Sequence, residues 1–369
     1  MYNRVVIKAG TNVLTGGKED LDLKVMSSLV DQISRMRLNG KDVLLVTSGA
    51  IAAGRQVFGD VNAGKDIPSR QVLAAIGQTR LMHIYEDMFS AHGITVAQAL
   101  LSRGDILDRE GYLNVRNTIL ALLDLGVIPI INENDVVAVE ELGVKVFGDN
   151  DSLSAMLSNL IDADLLIVLS DIEGLYTSDP HTNPDAMLIS NVDRIDEAIE
   201  SLAGAGHGVR GSGGMHAKLE AIKLATSSGV AVIIANGKSD EIITRICTGE
   251  PIGTFFAATA NKMESRKRWM LSVASEECKI VVDYGASVAL REGNSSLLPP
   301  GIRYVEGDFS RGDIIIVTDL DGNRIACGIT SYSSPDVNII KGIRSYNIRD
   351  VLGYEYGEEV LHRNNLVIL

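Results

Sequence analysis

The sequence predicts an α/β protein, a three-layer αβα sandwich on a mostly parallel sheet, with a small β-rich domain after it. Three observations carry that expectation. Apolar strand-like runs alternate with helix-period stretches over the first 256 residues, the order that builds a parallel sheet covered on both faces. Beyond that point short strands separated by turn signals replace the alternation. A chain of 369 residues with 46% hydrophobic content is also long enough for one large core and a second, smaller one.

Arg4 to Ile7 reads as a buried first strand that ends at Lys8-Ala9-Gly10-Thr11-Asn12. Leu21, Val25, Leu29, Ile33 and Met36 recur at spacings of three and four, the period of a helix, which Asn39-Gly40 closes. Asp42 to Val46 is a second strand, running into the small-residue stretch Thr47 to Gly54. A long helix is expected from Ser69 to Ala91, with Val72, Ile76, Met82, Tyr85 and Phe89 facing inward. A strand from Ile94 to Ala99, a helix from Tyr112 to Leu125 and a strand from Val127 to Ile131 follow, ending at Asn132-Glu133-Asn134-Asp135.

Val144 to Phe147 reads as a short strand, and Gly148 as a turn into a helix that opens on Asp149-Asn150-Asp151. One N-cap needs one such side chain, so three in a row are either a cap with surplus surface acids or groups facing a ligand or cation. Asp164 to Leu169 is a strongly apolar strand ending at Ser170-Asp171. A loop from Tyr176 to Asn183, a glycine-dense stretch from Gly204 to Gly214, a helix from Met215 to Ser227 and a strand from Val230 to Ala235 complete the region. In such sheets ligands sit beyond the carboxyl ends of the strands, where Lys8-Gly10, Ser48-Gly49, Asn134-Asp135 and Ser170-Asp171 all fall. Further on, Asn261 to Trp269 is polar and basic, a linker or hinge helix, and Asp321-Gly322 between two apolar runs is a hairpin cue.

Composition removes several function classes. A formal charge of -14 argues against general nucleic-acid binding and against an anionic membrane surface. Cys247, Cys278 and Cys327 are far apart and form no CxxC pair, which suits a reducing compartment over disulfides or zinc. The N-terminus runs directly into a strand with no signal-peptide pattern, so a cytoplasmic protein is expected. The six histidines show no metal-ligand spacing, and no protein metal ligand is assigned.

Gly211-Ser212-Gly213-Gly214-Met215-His216-Ala217-Lys218 is the second feature with chemistry in it. Glycines let backbone N–H groups approach phosphate oxygens, the helix start adds partial positive charge, and Lys218 lies one turn inside. The alternative is a plain surface loop. Gly206 to Gly211 matches GxGxxG, but no strand precedes it, so a dinucleotide site is discounted. Lys8 at the end of the first strand is either solvated or a phosphate contact. Ser48-Gly49 before a small-residue helix suits either an anion or close helix packing.

Five motifs in order resemble the amino acid kinase family: Lys8-Ala9-Gly10-Thr11, Val46 to Gly54, Ile131 to Asp135, Gly148 to Asp151, and Gly213-Gly214-Met215 with Lys218. Within the family the chain is most similar to the members that phosphorylate glutamate. Ser295 to Pro299, Phe309 to Gly312 and Gly353 to Gly357 resemble the PUA domain attached to many of these. The resemblance implies a kinase domain over 1–257, a linker over 258–276 and a PUA domain over 277–369.

It also implies that Lys8 and Lys218 contact the transferring phosphoryl group and that Asp151 orients both. Ser48, Gly49, Asp135, Asp149 and Asn150 would hold L-glutamate. Lys8, Gly10, Ser170, Asp171, Ser212, Gly213, Gly214, Met215 and Lys218 would hold ATP with magnesium. Ser170 and Ser212 stand where threonine is usual, with the hydroxyl kept. Further implications are the first step of proline synthesis, proline inhibition, a homo-oligomer (dimer or tetramer) and hand-over of product to glutamyl phosphate reductase. Kinases of aspartate or acetylglutamate are the rival reading. An RNA-binding regulator is a more distant one, because acidic residues outnumber basic ones from Lys279 onward.

Overall fold

The structure is a computed structural model. It describes residues 2–58, 67–137, 150–180, 182–204, 214–261, 270–271, 274–275, 277–293 and 295–369. The expected strand Val144 to Phe147, most of the glycine stretch and the basic run at 266–269 lie outside them.

Contacts divide the chain into two units, Met1–Asp105 with Arg116–Asn261, and Ile106–Val115 with Lys262–Leu369. The first unit holds an eight-stranded sheet. Its strands are β1 (Arg4–Ala9), β2 (Asp42–Thr47), β3 (Val96–Leu101), β4 (Ile128–Glu133), β5 (Leu165–Ser170), β6 (Asn191–Val192), β7 (Ala231–Asn236) and β8 (Thr254–Phe256). They lie in the order β3-β4-β2-β1-β5-β7-β8-β6. All neighbouring pairs are parallel except β7 with β8. The short β6 and β8, two and three residues long, escaped sequence reading because neither has length enough for a period to show.

The chain passes from β1 to β2, out to the edge strand β3 and back to β4 between them, then returns to build β5 and β7 on the other side of β1. Strands β1 and β5 therefore flank a switch point, where the loops at the carboxyl ends diverge and leave a crevice. Alternation along β1 decides what enters it. Val5, Ile7 and Ala9 join the core cluster built with α2 (Leu23–Leu38), α3 (Ala50–Phe58) and α4 (Ile67–Ser90). Val6 and Lys8 take the opposite face of the pleat, where α7 (Asn150–Leu160) packs on β1. A lysine at this position is thus directed at the first turn of α7.

One expected face needs correction. Along α4 the buried side chains are Leu73, Ala74, Leu81, Ile84, Tyr85 and Phe89, whereas Val72 is exposed. The stripe is turned by one residue because α3 and α4 meet through glycines. A Cβ on Gly77 would stand 1.8 Å from the Ala50 carbonyl oxygen, and one on Gly54 would stand 2.0 Å from that of Leu73. The shallow contact brings the two backbones together and draws Gly77 and its neighbour Gln78 inward.

The second unit carries a five-stranded sheet in the order β10-β9-β11-β12-β13, from β9 (Lys279–Val282), β10 (Ile302–Glu306), β11 (Ile314–Thr318), β12 (Arg324–Ile329) and β13 (Leu366–Ile368). The hairpin expected around Asp321-Gly322 is present as antiparallel β11 and β12, with Gly322 at φ +84°. Residues 106–115, which the sequence reading placed in the first domain, group with this unit, and Leu113 is buried among Ile314, Cys327, Ile329 and Val367.

Candidate active site

Lys8 leaves β1 toward the N-terminus of α7, and its Nζ lies 2.6 Å from Asp151 Oδ1. Lys218, from α9 (Met215–Ser227), reaches the other carboxylate oxygen at 3.4 Å. Asp151 and Lys8 are withdrawn from water, at 1% and 4% exposure, and Lys218 is half-buried. Burying charge is costly unless the charges are paired, and here two cations share one anion. Lys218 also acts on the Asp171 carboxylate, and two ammonium groups brought to one point suit an anionic ligand. The first turn of α7 also favours a carboxylate through the helix dipole. Gly10 keeps space beside this group, since a Cβ there would sit 3.3 Å from Lys8 Nζ.

Next to Asp151, Asn150 belongs to a different network. Its Nδ2 donates to the Thr47 carbonyl at 2.9 Å, to Ser48 Oγ at 2.9 Å and to Asn132 Oδ1 at 3.1 Å. Asn132 in turn donates through Nδ2 to Gln78 Oε1 at 2.8 Å. Gly49 adopts φ +97°, a left-handed turn open to glycine, and so lets α3 start directly after Ser48. Asp135, just past β4, lines a cavity of about 540 Å³ together with Gln78, Glu133 and Asn134. Burial raises the Asp135 pKa above the ordinary carboxylate value, and the Arg70 guanidinium only partly offsets it.

On the β5 side, Ser170 ends its strand and Asp171 follows. Asn12 Nδ2 donates to Asp171 Oδ2 at 2.9 Å, and Ser170 Oγ donates to Asp171 Oδ1 at 3.2 Å. Burial works to raise the Asp171 pKa. Hydrogen bonds from Asn12, from the backbone and from Ser170, with the Lys218 charge, outweigh it and hold the carboxyl below its usual value. Gly214 caps α9 without a side chain, which leaves backbone N–H groups of the first turn pointing outward.

A family model described as "Amino acid kinase family" matches residues 3–236, and one described as "PUA domain" matches residues 278–352. The chain belongs to the amino acid kinase family. It is 52% identical over 368 residues to a protein named Glutamate 5-kinase from Dehalococcoides mccartyi, covering 100% of this chain and 99% of that protein. Proteins of the same name from Herpetosiphon aurantiacus and Deinococcus radiodurans are 46% and 44% identical over 367 and 366 residues. Those matches cover 100% and 99% of this chain, and 98% and 100% of the two relatives.

The amino acid kinase fold brings together Lys8, Asp151 and Lys218, and beside them Ser48 with Asn150 and Ser170 with Asp171. Asp149, Ser212 and Gly213 lie outside the described residues. Three polar residues of these networks were not singled out from sequence. Asn12 and Asn132 follow or end strands inside motifs already noted. Gln78 had a signal as well, a long amide on what proves to be the buried stripe of α4, hidden once Val72 was counted as inward.

Proposed function

We propose that the chain transfers the γ-phosphoryl group of ATP to the γ-carboxylate of L-glutamate, giving L-glutamyl 5-phosphate and ADP. The meeting of Lys8 and Lys218 on buried Asp151 carries this reading, in a chain similar along its whole length to proteins named for that activity. A γ-carboxylate with a pKa near ~4.3 is ionised at neutral pH, so its oxygen attacks the γ-phosphorus with no general base. One P–O bond forms to the carboxylate, the bond to the β–γ bridging oxygen breaks, and the electron pair leaves with ADP. Alignment and charge neutralisation are then the main tasks left to the protein. Lys8 and Lys218 face the moving group, while Asp151 fixes their direction.

Ser48, Gly49, Asn150, Asp135 and Asp149 hold the acceptor amino acid in this reading. Gly10, Ser170, Asp171 and residues 212–215 hold the nucleotide. Magnesium would enter on phosphate oxygens. Among the described residues no three His, Cys, Asp or Glu side chains converge, and both Asp151 oxygens already face lysines. When bound, the ion would neutralise charge on the phosphates.

Proline inhibition, a homo-oligomer, transfer of the acyl phosphate to a reductase as the first step of proline synthesis, and a cytoplasmic location belong to the same reading. So do domain limits at 257 and 277. Among the described residues no helix is long and apolar enough to cross a membrane. Trapping the product with hydroxylamine tests the reaction directly. Hydroxamate should form with ATP and L-glutamate and remain near background with L-aspartate or N-acetyl-L-glutamate; a preference for either rival would overturn the assignment.

A further inference from the structure

The amide network beside Ser48 has a direction. Glu133 N–H donates to Asn132 Oδ1 at 2.9 Å, so the Asn132 oxygen faces that way and its Nδ2 points to Gln78. The Thr47 carbonyl likewise holds the Nδ2 end of Asn150. Backbone groups thus fix two of the three amides, and Gln78 must offer Asn132 its oxygen. The two ends of the relay are then opposite in polarity. Among the described residues, Asn150 Oδ1, an acceptor, and Gln78 Nε2, a donor, are both buried and meet no hydrogen-bond partner. Buried amide groups are almost always satisfied, because leaving one unpaired costs most of its hydration.

An α-amino acid carries a donor and an acceptor on one carbon, an ammonium and a carboxylate. Gln78 is 8% exposed and lines the same cavity as Asp135. We infer that Gln78 is a specificity-determining residue whose Nε2 donates a hydrogen bond to the α-carboxylate of the acceptor amino acid, while Asn150 Oδ1 takes its ammonium. This rests on the proposed amino-acid acceptor. Its consequence is that the relay reads both groups of the α-carbon and leaves the distal carboxylate free for the phosphoryl group. A donor shielded from bulk water meets little competition for a charged oxygen.

Two substitutions separate this role from simple support of Asn132. Gln78→Glu keeps an oxygen for Asn132 Nδ2 but removes the donor and adds a repelling charge; Gln78→Leu removes both. At pH 8 both variants should raise the KM for L-glutamate by about ten-fold or more, Gln78→Glu at least as much as Gln78→Leu. The KM for ATP should stay within about twofold, and melting temperatures show that each variant is folded, the isosteric Gln78→Glu securing the test. A Gln78→Glu enzyme with a normal glutamate KM, or two normal variants, would overturn the inference alone. Wild-type protein that releases no ADP in response to L-glutamate would overturn the proposed function, and this inference with it.

Discussion

Lys8 Nζ and Asp151 Oδ1 are 2.6 Å apart, one from the central strand and the other from the first turn of the helix that crosses it. The pleat of β1 turns Lys8 to that face, and the helix dipole favours the carboxylate there. Neither side chain could be left alone at this depth, where a single unpaired charge is strongly disfavoured. Lys218 joins them from α9, so two ammonium groups stand together where an incoming phosphoryl group would meet them.

Replacing the anion should therefore disturb direction more than binding. Asp151→Asn keeps the shape and removes the charge that holds both lysines. Turnover should fall by about 10²–10³, as for loss of one preorganised electrostatic group, with the KM for ATP changed by less than about fivefold. Steady-state kinetics in both substrates checks this. A variant with weakened ATP binding and normal turnover would refute the orienting role.

Acid should weaken glutamate binding through Asp135. Burial raises its pKa in the folded protein, and in the proposed acceptor site it must be ionised to share the substrate ammonium with Asn150 Oδ1. Affinity is then complete above the raised value and lost as pH falls through it, earlier than an ordinary carboxylate would allow. The same shift disfavours the charged form on folding, so stability from this group increases as pH falls through that value. The profile of KM for glutamate against pH should show an inflection above the ordinary aspartate value, and Asp135→Asn should abolish it at the cost of affinity throughout. An unchanged inflection in Asp135→Asn would assign it elsewhere.

Packing between α3 and α4 should couple stability to the acceptor site. A Cβ at Gly77 cannot coexist with the Ala50 carbonyl oxygen at 1.8 Å, so Gly77→Ala must push the helices apart. Overpacking of this kind costs about 1–3 kcal/mol, or roughly 3–10 °C in melting temperature for a unit of this size. Gln78 is the next residue, so the glutamate KM should rise with it while the ATP KM does not. Thermal melting and the two KM values together decide the point.

Much of this was legible in the sequence, and the exceptions have physical causes. Long apolar runs such as Leu165–Ser170 declare themselves because both faces of a central strand are buried. Lys8, Ser48 and Ser170-Asp171 stand out because they fall at the carboxyl edge that such a sheet offers to ligands, and Asn150 because it lies in a run of three acid or amide side chains opening a helix. The inward face of α4 was misjudged at Val72 because apolar content alone set the stripe, whereas Gly54 and Gly77 set the packing. Gln78 was lost with that face. The amide relay was beyond reach for another reason, since α4, β4 and α7 meet there only through tertiary structure.

Single-turnover phosphoryl transfer from ATP to L-glutamate in Lys8→Met and Lys218→Met bears most directly on the paired lysines. Each substitution keeps the length of the side chain and removes the charge. The expected result is a rate lowered by about 10²–10³ in either variant, with ATP dissociation constants within about fivefold of wild type. A transfer rate near that of wild type in either variant would contradict the assignment of two lysines to one migrating phosphoryl group.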